Sequence, residues 1–384
     1  MKFRVLILFL LFFYVQCAEN DKEILFASGI ENMQEINVSD IALDVKYIAL
    51  ETNSACLLGK DLYDISFSEK YLFVRDDSNL YQFTLDGKYI RKIAEKGQGP
   101  EEFLSISSVK YDNQKEEIYM NDLLSGKIKV YSFNGDFIRD IPTANGEQLI
   151  YYNADDELFY MYPMFFYNEQ ESNELIVRNE KGNKQYVFPF FRNENVKYPS
   201  FLIAQSIIYA YDGIIYYKNP LESTIFQLNN DKKILMYNLN FGRYENLNLF
   251  DDVVVKKNGN VGVGEFNKEV EEKISFYDIF ELQNYICFLY LQHDRRFAWY
   301  NKVNKSVCRI RGCSANIDGF TDDLQNGYPI LPRFFWENRI VGYVLAGTLI
   351  EEMKSKETVD GSLRQVMSNL SEEDNPVLQV VTLK

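Results

Sequence analysis

A tight turn that recurs at an almost constant interval constrains the fold of this chain more than any other feature. Successive turns lie 48, 47 and 49 residues apart, and they are Asp86-Gly87, Asn134-Gly135, Lys181-Gly182 and Asn230-Asp231. Each turn joins segments in which apolar and polar residues alternate, which is the pattern of a β-hairpin. A repeat of this length indicates one supersecondary unit that is used several times.

The alternation around the turns predicts units of four short antiparallel strands. In the two clearest units the strands cover residues 61–67, 71–76, 80–85 and 88–93, then 106–111, 117–121, 127–133 and 136–141. Three more units are predicted over about 149–188, 206–241 and 276–310. A last unit has predicted strands at 329–336, 339–346 and 377–383, interrupted by a segment rich in helix formers at 347–375.

The last unit lacks one strand, and the alternating segment 44–51 belongs to no other unit. Pairing of these first and last strands would close a ring and remove exposed sheet edges. We therefore predict an all-β fold, a six-bladed β-propeller of four-stranded antiparallel blades over residues 40–384, with a short helical insertion near the C-terminus. A solenoid is the main competitor, although it would need a capping unit at each end. Five or seven blades stay open as alternatives.

The N-terminus has the pattern of an export signal. Lys2 and Arg4 precede an apolar run of eleven residues that ends at Val15, which is too short to cross a bilayer. Residues 1–16 are therefore predicted to be a signal peptide, and Cys17 resembles the acylated first residue of a bacterial lipoprotein, followed by a tether over residues 17–39. Gln16 departs from the small residue usual before such a cysteine, so cleavage without acylation remains the alternative.

The charge of the chain excludes some partners. Removal of residues 1–16 leaves 39 Lys and Arg against 56 Asp and Glu, a net charge of −17. Such a charge argues against nucleic acid or an anionic membrane surface as a partner, so contact with a membrane is expected only through the lipid anchor. Besides Cys17 the cysteines are Cys56, Cys287, Cys308 and Cys313, too few for a disulfide-dependent scaffold. With one histidine in the chain, a zinc site is not expected.

Long connections fall on one face of the predicted propeller, where the joints between second and third strands also lie. They cover residues 94–105, 163–173, 189–205, 242–275, 312–328 and 347–375. Because the other turns are short, we predict that this face carries the function.

Charged residues at joints on this face are the candidate ligand residues. In the fifth unit they are His293, Asp294, Arg295 and Arg296, which could act as a general base or bind an anion. In the first two units they are Asp76, Asp77 and Asp122, which could approach a divalent cation such as calcium. The simpler interpretation of the histidine is a solvated turn, and acidic turn residues commonly cap their own backbone.

No motif of a known catalytic site is present. Gly259-Asn-Val-Gly-Val-Gly264 has no strand-then-helix context and is interpreted as a loop rather than a phosphate site. The aromatic segment Met164-Phe-Phe-Tyr167 could stack on sugar rings, although such side chains more often pack between blades. We therefore predict no catalytic residues and no cofactor.

Three segments carry a resemblance to a known family. They are Gly97-Gln-Gly-Pro-Glu-Glu-Phe103, Tyr47-Ile-Ala-Leu-Glu-Thr52 with Leu58-Gly-Lys60, and Glu372-Glu-Asp-Asn-Pro-Val-Leu378. On these residues the chain resembles the six-bladed β-propeller lipoproteins of Bacteroidetes, which are related to NHL-repeat propellers. The resemblance implies an exported, lipid-anchored protein of the outer membrane or cell surface, with a periplasmic location as the alternative. It implies no catalytic residues.

Three classes of function stay open. The first is an envelope binding module, expected to be a monomer, for a glycan, a peptide or a partner protein. The second is a metal-dependent lactonase-like or lyase-like enzyme with acidic ligands in a central channel, as in related propellers. The third is a structural subunit of an envelope complex, which would need a large apolar patch.

Overall fold

The computed structural model describes residues 22–163, 173–189, 206–220, 222–244, 273–312, 318–356 and 358–384. In these residues six four-stranded antiparallel sheets follow one another along the chain, and two short strands extend two of them. The chain therefore has the predicted fold class, an all-β six-bladed β-propeller. We number the sheets as blades 1 to 6 and the strands as β1 to β26 in chain order.

Blades 1 to 3 each use four consecutive strands. Blade 1 contains β4 (Asp64–Phe67), β5 (Tyr71–Arg75), β6 (Leu80–Thr84) and β7 (Tyr89–Lys92). Blade 2 contains β8 (Ile106–Asp112), β9 (Glu117–Asp122), β10 (Lys127–Ser132) and β11 (Phe137–Pro142). Blade 3 contains β12 (Glu147–Asn153), β13 (Leu158–Pro163), β14 (Asn173–Asn179) and β15 (Lys184–Pro189). The eight strands of blades 1 and 2, for which the prediction gives bounds, agree with it to within three residues at each end.

Blades 4 and 5 have the same order. Blade 4 contains β16 (Ile207–Tyr211), β17 (Ile214–Lys218), β18 (Thr224–Asn229) and β19 (Lys232–Leu239), and the 3₁₀ turn Gly242–Tyr244 follows it. Blade 5 contains β20 (Ser275–Glu281), β21 (Tyr285–Gln292), β22 (Asp294–Asn301) and β23 (Ser306–Ile310).

Blade 6 combines the two ends of the chain, as the orphan strand predicts. It contains β24 (Phe334–Trp336), β25 (Arg339–Val344), β26 (Val377–Leu383) and the N-terminal strand β3 (Ala42–Ala49). β3 lies antiparallel to β26, with Ile48 opposite Leu378 and Lys46 opposite Val380. Two helices, α3 (Ala346–Met353) and α4 (Gly361–Met367), lie between β25 and β26 in sequence and confirm the predicted helical insertion.

The described chain divides into two compact units. One unit contains blades 4 and 5 with residues 22–33, and its core packs aromatic and aliphatic side chains of both blades. The other contains blades 1, 2, 3 and 6, with a separate buried cluster at each junction from blade 6 to blade 1, blade 1 to blade 2 and blade 2 to blade 3. Because blades pack on both faces, middle strands such as β5 are almost wholly buried, whereas fourth strands such as β7 are half-exposed.

The recurring turns hold adjacent blades together as well as closing hairpins. Gly87, Gly135 and Gly182 adopt φ values of 87°, 86° and 78°, the left-handed region that favours glycine. A Cβ atom on Gly87 would lie 2.3 Å from the carbonyl oxygen of Ala49, and one on Gly182 would lie 2.3 Å from that of Pro142. Both carbonyls end the fourth strand of the preceding blade, so these glycines also permit the contact between blades.

The N-terminal segment differs from the predicted tether where the structure describes it. β1 (Glu23–Ile24) lies parallel to β19, and β2 (Met33–Gln34) extends blade 5 beyond β23. Between them the short helix α1 (Phe26–Ile30) places the Phe26 ring in the core of the first unit. A second short helix, α2 (Val38–Ile41), leads into β3. The physical reason is that Ile24, Phe26 and Ile30 are buried, which alternation over so short a segment did not indicate.

Candidate functional site

The predicted acidic residues of blades 1 and 2 stabilise loops. Asp76 is buried, and its Oδ1 atom accepts hydrogen bonds from the amides of Ser78–Asn79 at 2.8 and 2.7 Å. Asp122 is buried and accepts hydrogen bonds from the amides of Leu104–Ser105 at 2.9 and 3.0 Å. Asp77 is exposed. The two buried carboxylates therefore accept hydrogen bonds from backbone amides, as acidic turn residues commonly do.

The charged residues of blade 5 form an exposed hairpin tip. His293 is the turn residue between β21 and β22, with a φ of 61°, and both Asp294 and Arg295 are exposed. Arg296 donates a hydrogen bond to Asp294 across 3.3 Å, and the Asp294 side chain is 76% exposed. An ion pair so open to water contributes little free energy. The arrangement gives the histidine no buried pocket in which to act as a base.

Other predicted features give no catalytic constellation. Within the described ranges no three His, Cys, Asp or Glu side chains are placed to hold a metal ion, so the lactonase-like alternative gains no ligand set there. Cys56, Cys287 and Cys308 are buried and form no disulfide, and burial raises the pKa of each. Thiols of this kind are poor nucleophiles.

Several predictions concern residues outside the described ranges. They are the signal peptide and Cys17, the aromatic segment 164–167, the glycine-containing segment 259–264, and Cys313. Among the helices that the structure does describe, none has the length and apolar character needed to cross a membrane.

A groove of about 470 Å³ lies beside blade 6, and we call it the blade-6 groove. One wall is the fourth strand β3, the second is helix α4 with the residues that follow it, and the third is the recurring turn of blade 1. The lining residues are Lys46–Thr52, Asp86, Lys88, Ser362, Gln365, Val366, Asn369, Leu370 and Asp374. Its size is that of a ligand pocket.

The base of this groove is held by Asn375, which is buried. Its side-chain amide donates hydrogen bonds to the carbonyls of Glu51 and Cys56 at 2.7 and 2.9 Å, and its Oδ1 atom accepts one from the amide of Leu58 at 2.8 Å. Its own backbone amide donates to the hydroxyl of Thr52 at 2.8 Å. Two of the segments that carried the family resemblance therefore meet here, although they are more than 300 residues apart in sequence.

The third resembling segment has a separate structural role. Glu102 accepts a hydrogen bond from the amide of Gly99 at 2.8 Å, and Phe103 is buried in the core between blades 1 and 2. The Tyr131 hydroxyl donates to the carbonyl of Glu101 at 2.7 Å. This segment is the joint between the two blades.

A second buried network fixes β3 from below the groove. The Tyr47 hydroxyl donates a hydrogen bond to Asp322 across 2.7 Å and accepts one from Gln379 at 3.3 Å. Burial, with the neighbouring Asp322 charge, raises the pKa of Tyr47 well above its usual value, and burial raises the pKa of Asp322. The raised pKa of Tyr47 favours the neutral phenol, which therefore keeps its O–H as a donor, and the network holds the strand in place.

The outer edge of β3 presents backbone groups to the groove. The Tyr47 amide donates to the Ser362 hydroxyl at 2.8 Å and the Val45 carbonyl accepts from Gln325, so the backbone of alternate residues points away from β26. By the same alternation the Tyr47 carbonyl and the Ala49 amide point outward. Within the described part of the chain, neither of these two groups has a hydrogen bond to another element. They are an open hydrogen-bonding position at a strand edge.

Charged side chains of both signs surround this open position. Lys46 and Lys88 are exposed at the groove, as is Asp86, whose pKa is lowered chiefly by a hydrogen bond from the Thr84 hydroxyl. The Glu51 carboxylate already accepts hydrogen bonds from the Tyr89 amide at 3.0 Å and from the Asn53 side chain. The groove is therefore suited to binding a ligand with mixed polarity. Sequence reasoning missed it because its walls come from segments that only the closure of blade 6 brings together.

Comparisons with known proteins show a family and a fold. The sequence profile of a domain of unknown function, DUF4934, matches residues 21–382. A Bacteroides fragilis structure described as a "putative exported protein" has a TM-score of 0.70 at 19% identity, covering 94% of this chain and 99% of that one. A DUF4221 family member from Bacteroides vulgatus has a TM-score of 0.52 at 9% identity, covering 90% and 97%. No curated protein matches the sequence. Identities this low show the fold alone.

Proposed function

This chain belongs to the DUF4934 family, and we propose that it is an exported, lipid-anchored envelope protein that binds an extended peptide segment in the blade-6 groove. Residues 1–16 and Cys17 support the export and the anchor. The likeness to a Bacteroides fragilis protein described as exported agrees with this location. The outer membrane or cell surface is the proposed site of anchoring, with the periplasm as the alternative.

The open edge of β3 is the observation that carries the binding role. An extended peptide can add to a strand edge, where main-chain hydrogen bonds supply affinity and the flanking walls select side chains. The Tyr47 carbonyl and Ala49 amide provide one acceptor and one donor for that purpose. A glycan fits less well, because a sugar has no main-chain donor and acceptor at the spacing of a strand.

The walls of the groove supply the selectivity. Val366 and Leu370 on the helical wall give apolar surface, and Lys46 and Lys88 give cationic groups. The peptide that fits best therefore has alternating apolar and acidic or polar side chains. The acidic whole chain, with a net charge of −15, makes nucleic acid an unsuitable ligand.

Selection from a random peptide library tests this proposal. The purified full-length protein is panned against displayed peptides, and enriched sequences are measured against the Val366→Arg variant, which places a long charged side chain in the groove. The matched control is Val187→Arg on β15 of blade 3, a valine that is 39% exposed. We expect Val366→Arg to weaken binding at least tenfold, a cost of about 1.4 kcal/mol, and Val187→Arg to leave it unchanged.

Two results would count against this assignment. Peptides that bind both variants equally would place the site elsewhere on the protein. Binding to a glycan array that is lost in Val366→Arg would assign the groove to a glycan instead. Thermal melting of each variant checks that the substitutions leave the fold intact.

A further inference from the structure

The N-terminal strand fixes where a lipid anchor would leave the folded protein. β1 starts at Glu23 beside β19, the fourth strand of blade 4, with Glu23 opposite Asn238. Lys22 continues along the same edge, and its Nζ atom donates a hydrogen bond to the Leu235 carbonyl at 3.1 Å. Cys17 is six residues before Glu23, so an extended chain can separate the two by about 20 Å. That reach is shorter than β19 itself, whose eight residues span about 27 Å.

The same edge exposes apolar side chains. Leu25 is 56% exposed directly after β1, and Ile234 and Leu235 on β19 are each 43% exposed. A single exposed apolar residue needs no explanation, but three on β19 and the segment that pairs with it form an apolar surface that lipid can cover.

The charge of this edge is compatible with a bilayer. Lys22 and Lys232 are exposed and are balanced by the exposed Glu23 and Asp231, so the edge is close to neutral in a chain with a net charge of −15. Anionic headgroups would therefore not be repelled here as they would by the acidic chain as a whole. Tethering also raises the effective concentration of the surface at the bilayer, so a weak contact suffices.

We infer that the outer edge of blade 4, formed by Lys22, Leu25, Ile234 and Leu235, lies against the lipid bilayer. This inference rests on the proposed anchor at Cys17 and adds a fixed orientation to it. The partner is the bilayer itself, because a chain of at most about 20 Å leaves this edge as the surface that the anchor brings to the membrane. The apolar side chains enter the membrane interface, while Lys22 and Lys232 contact phosphate groups of the lipids.

Depth-dependent fluorescence quenching tests this orientation. The full-length acylated protein is reconstituted in vesicles of phosphatidylethanolamine and phosphatidylglycerol that contain brominated lipid. Leu235→Trp reports the proposed surface, and Val303→Trp, at a turn of blade 5 that is 77% exposed, is the matched control. The unsubstituted protein gives the background of Trp299 and Trp336. We expect brominated lipid to quench the added tryptophan at position 235 at least twofold more than the one at position 303.

The outcomes separate this inference from the proposal that it extends. Equal quenching at the two positions in protein whose acyl mass is confirmed by mass spectrometry would overturn the orientation and leave the anchor in place. Absence of the acyl mass would overturn both. If Cys17→Ser abolishes all quenching, and the acylated protein with Cys17 shows the twofold contrast between positions 235 and 303, both the anchor and the orientation are supported.

Discussion

Removal of the Phe26 ring should destabilise blades 4 and 5 far more than its position near the N-terminus suggests. The ring is fully buried and makes edge contacts with Phe276 and Phe288 at centroid distances of 5.1 Å each, and with Tyr290 at 5.5 Å and Phe241 at 5.8 Å. Truncation of a buried phenylalanine costs about 3–5 kcal/mol. With four aromatic neighbours we expect Phe26→Ala to cost about 4 kcal/mol, near the middle of that range.

Amide hydrogen exchange measures this cost in the unit that contains the ring. A loss of about 4 kcal/mol corresponds to roughly a thousandfold faster exchange for peptides from β20 and β21. The control is Leu25→Ala, which removes an exposed neighbouring side chain and should change exchange less than about fivefold. Exchange in Phe26→Ala within fivefold of the parent would refute the reasoning, since it would mean that residues 22–33 are a detachable tether.

Three further perturbations have expected outcomes that ordinary stability measurements can check. Gly182→Ala should lower the free energy of unfolding by several kcal/mol more than Gly213→Ala, because both positions have positive φ but only at position 182 would the new Cβ lie against a carbonyl oxygen. Equal losses in thermal melting would contradict the inter-blade role of the turn. Asn375→Ala should cost about 3 kcal/mol in denaturant unfolding, against under about 0.5 for the exposed Asn369→Ala, because three buried hydrogen bonds are lost; a cost near that of Asn369→Ala would show that the base of the groove does not depend on them. Burial lowers the pKa of Lys218 to about 7, so the free-energy cost of burying this lysine is full below pH 7 and falls as the pH rises toward the usual lysine pKa of 10.5. The free energy of unfolding of the parent relative to Lys218→Met should therefore rise by at most about 1.4 kcal/mol per pH unit over that window, and a difference independent of pH would contradict this expectation.

Most of the blade architecture could be predicted from the sequence, because strand alternation and turn chemistry are local. The glycine turns at 87, 135 and 182 require a left-handed residue at a fixed place, and the strands on either side follow from period-two patterning. Closure of blade 6 was also predictable, since the segment that became β3 matched no other unit.

The candidate site was much less predictable, because it depends on contacts between distant segments. Asp76 and Asp122 are predicted ligand residues because of their charge and their place at strand joints, yet whether a carboxylate faces a ligand or a backbone amide depends on the loop beside it. The blade-6 groove needs Ser362 to reach the Tyr47 amide across more than 300 positions, which no local pattern encodes. The one signal in the sequence is that Tyr47–Thr52 and Glu372–Leu378 both carry the family resemblance.

The most direct test of peptide binding at the edge of β3 is the exchange rate of the Ala49 amide with and without a selected peptide. If a peptide adds to this strand, the Ala49 amide gains a hydrogen bond and its exchange should slow more than tenfold. The Glu51 amide is the internal control, because it already donates to the Gly87 carbonyl at 2.8 Å and should change little. A bound peptide that protects other amides and leaves Ala49 unchanged would contradict the account.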